Sequence, residues 1–182
     1  ATSSDFDLNG NDETIDQLDG VSGSSVTLGS GGKLIADGGS FAGNITGDGT
    51  SELEVNDNAT GNKLDLTGGD NSGFLGEMTV TAGTLRGDTD ALTTDITNSG
   101  SVVFDQDGSE LNSGLYDSVI SDTGGVTKTG TGDLLIDQAQ TYTGATSIDN
   151  GTLQLKTGAD LSNLTDVDVA TGSNFDLNGV SV

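Results

Sequence analysis

The sequence predicts an all-β chain wound as a parallel β-solenoid of about eight or nine coils. Three observations carry that expectation: short alternating apolar runs, glycine punctuation without proline, and a block that recurs along the chain. The runs include Val26-Thr27-Leu28, Leu53-Glu54-Val55, Leu64-Asp65-Leu66, Leu153-Gln154-Leu155, Val167-Asp168-Val169 and Phe175-Asp176-Leu177. A period of two puts the aliphatic side chains on one face of a strand. The 182 residues include 30 glycines and no proline. A stacked strand uses every backbone N–H for its neighbour, and proline supplies none, whereas glycine opens crowded corner positions.

The recurring block reads Gly130-Thr131-Gly132-Asp133-Leu134-Leu135-Ile136, then Tyr142-Thr143-Gly144-Ala145-Thr146-Ser147-Ile148, then Gly151-Thr152-Leu153-Gln154-Leu155. An imperfect copy occurs earlier as Gly61-Asn62-Lys63-Leu64-Asp65-Leu66, Phe74-Leu75-Gly76-Glu77-Met78-Thr79-Val80 and Gly83-Thr84-Leu85. An offset of 68 positions (142 − 74) places Phe74 under Tyr142, Gly76 under Gly144 and Val80 under Ile148. A third echo joins the ends, where Phe6-Asp7-Leu8-Asn9-Gly10 returns as Phe175-Asp176-Leu177-Asn178-Gly179. The expected organisation is one solenoid over residues 1–182, with internal repeats at about 45–86 and 120–156 and an echo between 5–10 and 174–179. Because the chain closes on the phrase with which it opens, it reads as a segment of a longer array or as a subunit that continues end to end with copies of itself.

Stacked coils must share an inward ladder, and the alternation assigns it. The expected inward residues are Val26, Leu28, Leu53, Val55, Leu64, Leu66, Val80, Leu85, Val102, Phe104, Leu134, Ile136, Ile148, Leu153, Leu155, Val167 and Val169. The two ends, with Phe6 and Leu8 at one and Phe175 and Leu177 at the other, are expected to be unfinished coils with exposed sheet edges.

The block resembles the passenger-associated repeat of bacterial autotransporters, whose pattern runs G-x-G-x-L-x-L, then Y-T-G-x-T-x-I-x-x-G-T-L-x-L. Further phrases match the family: Phe6-Asp7-Leu8-Asn9-Gly10 with Thr14-Ile15 and Leu18, Asn98-Ser99-Gly100-Ser101-Val102-Val103-Phe104, and Val126-Thr127-Lys128-Thr129-Gly130-Thr131-Gly132. The resemblance implies a right-handed parallel β-helix. It also implies export through the outer membrane by a C-terminal β-barrel outside these residues, and display at the bacterial cell surface. It implies a class of surface protein and no particular ligand.

Charge and composition narrow the function. The formal net charge is −24, from 29 acidic and 5 basic residues. Among the acids, 24 are Asp and 5 are Glu, which places the charge mainly in turns, where Asp bonds neighbouring backbone groups. Such charge resists lateral sticking and makes nucleic acid an unsuitable partner, since neutralising phosphates needs clustered Lys and Arg. The basic residues, Lys33, Lys63, Arg86, Lys128 and Lys156, are scattered. With no His and no Cys, neither Ser-His-Asp nor Cys-His chemistry can be assembled, and no disulfide or zinc cluster can form. Carboxylate-only sugar cleavage stays chemically open, but the absence of Trp removes a sugar-stacking platform. A non-enzymatic role is expected. No apolar run reaches spanning length, so membrane insertion by this segment is not expected.

Two motifs are candidates for binding. Asp5, Asp7 and Asn9, followed by Asp16, meet the D-x-D-x-N-G spacing of a calcium loop. The competing reading is a strand with Asp5 and Asp7 outward, running into an Asn-Gly turn. Arg86-Gly87-Asp88 spells the integrin-recognition tripeptide on the turn after Thr84-Leu85, where an exposed, mobile turn would be required. The functional expectation is a surface-displayed stalk or adhesin segment that meets host or neighbouring cell surfaces. The alternative is a self-assembling extracellular filament, sheath or matrix subunit joined end to end by strand addition. Calcium stabilisation is the variant that the surplus of Asp favours.

The assigned facing can be tested directly. Leu153→Asp is expected to bury an unpaired charge and lower stability by several kcal/mol, whereas Gln154→Asp is expected to cost under about 0.5 kcal/mol. Denaturation midpoints of the two variants check the ordering, and equal midpoints would overturn it.

Overall fold

The computed structural model of the chain describes residues 4–57, 61–111, 113–161 and 166–178. Among them there is no helix, and short strands stack in parallel as a β-solenoid of about eight turns. One sheet runs along the rod through Glu13–Gln17, Lys33–Ser40, Glu52–Asn56, Glu77–Ala82, Ile96–Asn98 and Ile120–Ser121. A second begins at the far end of Lys33–Ser40 and continues through Lys63–Asp65, Thr84–Gly87, Ser101–Asp105, Gly125–Thr129, Thr146–Ile148 and Val167–Val169. Lys33–Ser40 serves both because it passes through the corner between them. Shorter sheets flank these, with Asp5–Asp7, Ser25–Thr27 and Asn44–Thr46 near one end and Leu115–Tyr116, Asp133–Ile136, Thr152–Leu155 and Asn174–Asp176 near the other.

Register explains why the ladder is apolar. Leu34 pairs with Leu53, Leu53 with Met78 and Met78 with Ile96, so each inward side chain is covered by the equivalent one on the next coil. All four are essentially buried. Of the expected inward residues, every one is buried except Val167 and Val169, which are 38% and 47% exposed. Their strand pairs only with Thr146–Ile148, and among the described residues no further coil covers its other edge. The same reason leaves Phe6 40% exposed on a strand that pairs only with Ser25–Thr27, while Leu8 is buried. At the other end Phe175 and Leu177 are partly buried against the core. Gln154, expected outward, is half-buried, and its Nε2 donates to Asp176 Oδ2 at 2.6 Å. An Asp at 154 would therefore face Asp176 across the coil, which adds repulsion to that substitution but leaves it far milder than a charge at Leu153.

The repeat is also readable at its corners. A Cβ on Gly76 would sit 2.1 Å from the Ser51 carbonyl oxygen, and one on Gly144 would sit 2.3 Å from the Gly124 carbonyl oxygen. Glycine is fixed at both because the backbone of the preceding coil passes there. Phe74 and Met78 in the first copy become Tyr142 and Thr146 in the second, all four buried. The exchange works because the new polar atoms arrive as a pair, with the Tyr142 hydroxyl 2.7 Å from Thr146 Oγ1. The terminal echo shares its turn as well. Asp7 Oδ1 accepts the Asn9 N–H and Asp176 Oδ1 accepts the Asn178 N–H, both at 2.8 Å, and both Asn residues have positive φ. Gly179 and Val182 lie outside the described residues.

Buried amide side chains, which the alternation does not signal, close other corners. Asn71 Oδ1 accepts the Ile45 N–H at 2.7 Å while its Nδ2 donates to the Ala91 carbonyl at 3.0 Å, so one side chain ties together three coils. Gln106 Oε1 accepts the Thr89 N–H at 3.0 Å. Gln140 Oε1 accepts the Ile120 N–H at 2.7 Å, and its Nε2 donates to the Ser118 and Gln138 carbonyls. Each supplies hydrogen bonds that backbone leaving a strand at a corner would otherwise lose.

Asn71→Ala is expected to strand a buried N–H and a buried carbonyl and to cost about 2–4 kcal/mol. Asn71→Asp keeps the acceptor and loses the donor, so it is expected to remain destabilised. Chemical denaturation of both variants checks this, and an Ala variant as stable as the parent would refute the bridging role.

Candidate functional site

Outward side chains on consecutive coils form columns, and most of the scattered basic residues belong to them. Lys63 Nζ lies 2.9 Å from Asp65 Oδ2, Arg86 bridges Asp65 and Asp105, and Thr129 Oγ1 donates to Asp105 Oδ1 at 2.8 Å. On the other long sheet, Lys33 Nζ reaches Glu52 at 3.0 Å and Glu54 at 2.6 Å, and Thr81 Oγ1 donates to Glu54 at 2.7 Å. Lys156 lies 3.4 Å from Asp137. Arg86 stands between the coil that carries Asp65 and the coil that carries Asp105, and Lys33 meets two acids of the next coil's strand, so a single cation relieves repulsion for two carboxylates. Lone exposed pairs of this kind are worth at most about 1 kcal/mol each, but a shared Arg offsets two carboxylates at once.

These contacts revise the integrin motif. Arg86 and Gly87 belong to the strand Thr84–Gly87, not to a turn, and the Arg86 guanidinium is held by Asp65 and Asp105. Gly87 is buried against Ala91 and Leu92. Asp88 Oδ1 accepts the N–H groups of Asp90 at 3.1 Å and Ala91 at 2.9 Å, so it holds the following turn. Burial pushes the Asp88 carboxyl up from its ordinary value, against those N–H donors, and the charge of Asp90 adds to the push. The tripeptide is engaged in the rod on all three residues.

The calcium motif is dispersed in the same way. Asp5, Asp7 and Asn9 lie on the strand Asp5–Asp7 and the turn after it, whereas Asp16 lies on Glu13–Gln17 in a different sheet. Asp5 Oδ1 accepts the Ser25 hydroxyl at 2.7 Å, and Asp7 Oδ1 is occupied by the Asn9 N–H. Among the described residues, no three or more acidic side chains are grouped to hold a metal ion. The local geometry is the strand running into an Asn-Gly turn.

Two of the concavities among the described residues differ in character. An open groove of about 580 Å³ runs across several coils and is lined by Glu77, Thr93, Asp95, Thr97, Ser118 and Ser121, among others. Thr97 Oγ1 donates to Glu77 at 2.6 Å, and Asp95 Oδ1 accepts the Val119 N–H at 2.9 Å, so its carboxylates serve neighbouring coils. A second, of about 760 Å³, opens beside the first coils among Phe6, Ile15, Leu18, Val21, Val26 and Phe41. The first offers hydroxyl and carboxylate groups to solvent, and the second offers apolar surface.

One basic residue departs from the outward pattern. Lys128 is fully buried on the inward face, in register with Phe104 and Ile148. Its Nζ donates to the carbonyls of Thr129 at 2.6 Å, Gly130 at 2.9 Å and Asn150 at 3.1 Å. Burial lowers its pKa, while the more distant charges of Asp105, Asp133 and Glu110 act to raise it. In the sequence Lys128 is one of the five scattered basic residues. The available signal was its place in strand alternation, two residues after Val126.

Acid sensitivity follows from the turns and columns. Burial acts to raise the Asp65 carboxyl, but hydrogen bonds from Lys63, Thr67 and Arg86 outweigh it and hold the group at about 2. Asp48 is also held at about 2, by Thr50, Ser30 and Ser51. A carboxyl depressed in the folded state stabilises it fully above the unfolded value of about 4 and loses that contribution as pH falls through the folded value. Between about pH 4 and 2, Asp65→Asn is therefore expected to lose less stability than the parent. Melting temperatures across that range check the difference, and parallel curves would contradict it.

No curated protein and no solved structure matches the chain. Residues 61–86 and 126–155 match the Passenger-associated-transport-repeat family. They are the two segments in which the Gly-Thr-Leu strand, the corner glycine and the inward aliphatics recur, so two segments of this β-solenoid match the passenger-associated-transport repeat.

Proposed function

We propose that the chain is a rigid, non-enzymatic segment of an exported surface protein, acting as a stalk that also presents an adhesive surface. The observation that carries this reading is the stack of parallel strands itself, with both repeat-matching segments built into it. A parallel β-solenoid carrying these repeats fits an autotransporter passenger segment. The absence of His and Cys from the sequence supports a structural role, as does the use of groove carboxylates in coil-to-coil bonds. Acidic columns keep such rods apart laterally, and the hydroxyl-rich groove is the surface best suited to polar contact with a neighbouring or host cell.

A second reading is favoured by the apolar concavity beside Phe6 and Phe41 and by exposed Val167 and Val169 near the other end. Unpaired strand edges there could take up a further coil from another copy, which would make the chain a filament subunit. Calcium would act in that setting by screening the acidic faces rather than at a dedicated loop.

Placed between an export signal and an outer-membrane barrel, the chain is expected to reach the cell surface as a protease-resistant rod. Cell binding is expected to depend on the groove, so charge-reversing Glu77→Lys and Asp95→Lys changes should alter it without loss of display. Failure to reach the surface folded would sink the stalk reading, and adhesion indifferent to the groove would remove the adhesive part. Concentration-dependent end-to-end oligomers of the soluble chain would favour the filament.

A further inference from the structure

The chain contains three Asn-Gly pairs, at 9–10, 150–151 and 178–179, the last reaching beyond the described residues. Asn-Gly is the dipeptide in which the following backbone nitrogen most readily attacks the Asn side chain, because glycine offers no Cβ to obstruct it. Whether a given pair reacts depends on what holds that nitrogen and how acidic its proton is. The two described pairs are both exposed at Asn and differ in both respects.

At Asn9-Gly10 the nitrogen is withdrawn from reaction. The Gly10 N–H donates to the Leu28 carbonyl of the next coil at 2.8 Å. At Asn150-Gly151 the Gly151 N–H instead donates to Oδ1 of Asn150 itself, at 2.9 Å. Since Oδ1 is bonded to Cγ, that contact keeps the nucleophile beside the carbon it would attack.

The peptide carbonyl between these residues is also special. Its oxygen, Asn150 O, accepts a hydrogen bond from the buried Lys128 ammonium at 3.1 Å. Removing the Gly151 proton leaves a peptide anion whose charge is shared onto that oxygen. A buried cation aimed at it stabilises the anion before attack, and later the oxyanion formed when water adds to the same carbonyl. Lys128 has only backbone carbonyls as hydrogen-bond partners among the described residues, so its charge is available for this purpose. Gly151 is fixed in place, because a Cβ there would meet the Gly132 oxygen at 2.3 Å, the Gly130 oxygen at 2.7 Å and Lys128 Nζ at 2.9 Å.

We infer that Asn150-Gly151 is a self-modification site, activated by Lys128, at which Asn150 is converted to an isoaspartyl residue. The Gly151 nitrogen gives its proton to water and bonds to Asn150 Cγ. The Cγ–NH2 bond breaks and the amine leaves as ammonia, closing a succinimide ring. Water then adds to the former peptide carbonyl, the bond from that carbon to the Gly151 nitrogen breaks, and the nitrogen stays on Cγ. The net change is gain of water and loss of ammonia, with no oxidant or cofactor. The carbon that becomes a free carboxylate is the one whose oxygen Lys128 already contacts, so the product supplies the buried ammonium with a counter-charge.

The test is to incubate the folded chain at neutral pH and follow each Asn-Gly peptide by mass spectrometry, with fragmentation to distinguish isoaspartate from aspartate. Asn150 is expected to convert about tenfold or more faster than Asn9, with isoaspartate as the main product. Lys128→Met, checked for folding by its melting temperature, is expected to slow Asn150 by about tenfold or more and to leave Asn9 unchanged. Lys128→Arg retains a cation and is expected to preserve much of the acceleration, which keeps the proposal testable if the Met variant unfolds. In denaturant the rates at Asn9 and Asn150 should converge. Equal rates at the two sites in the folded parent, or an Asn150 rate unaffected by removing the Lys128 charge, would overturn it.

Discussion

Every coil of this rod lends its backbone hydrogen bonds to the coils on either side, and that requirement governs the rest of the structure. Parallel strands in strict register place equivalent residues directly above one another, as Leu34, Leu53, Met78 and Ile96 are. An error at one inward position is therefore felt by two neighbours, which is why the ladder is so uniformly aliphatic. Where the backbone leaves the strand direction it can no longer satisfy itself between coils. Asn71, Gln106 and Gln140 are the price of those corners, polar side chains buried because the main chain there needs partners.

The same register organises the outside of the molecule. A chain with a formal charge of −24 cannot stack acidic residues at strand spacing without local relief. Four of the five basic residues meet acids, three of them across neighbouring coils, and hydroxyls of Thr81, Thr97 and Thr129 serve carboxylates that have few cations to share. Arg86 is best understood in this way. Its neighbours in the sequence, Gly87 and Asp88, spell a recognition motif, but its neighbours in space are Asp65 and Asp105, and space decides what it does.

Much of the architecture was legible because period-two alternation and the repeat offset are local, regular signals. Leu64, Leu85, Val102, Leu134 and Leu153 fell on the inward face as the pattern required. The pattern failed at the ends, where Val167 and Val169 have the right alternation but no covering coil, since burial is a property of neighbours and not of a strand alone. It was silent on Lys128, Asn71 and Gln140, whose polar identity reads as surface while their backbone positions turn them inward. The calcium spacing of Asp5, Asp7, Asn9 and Asp16 is likewise a pattern in sequence that does not fix positions in space. A ligand loop must curl its side chains toward one point, whereas here Asp5 and Asp7 share the outer face of one strand, bonded to Ser25 and Asn9, and Asp16 is carried to another sheet.

The orientation of the hydrogen bonds has a mechanical consequence. In a stacked parallel solenoid they run along the rod axis, while the strands run across it. Tension applied along the axis does not shear many bonds together; it opens them in sequence, beginning at whichever end coil is least covered. A coil of about 20 residues that peels away can lengthen the chain by roughly 70 Å while the remaining coils keep their form. Bending, by contrast, must compress an interior already filled by stacked aliphatics. A rod built this way is stiff against sideways load and yields by measured steps when pulled.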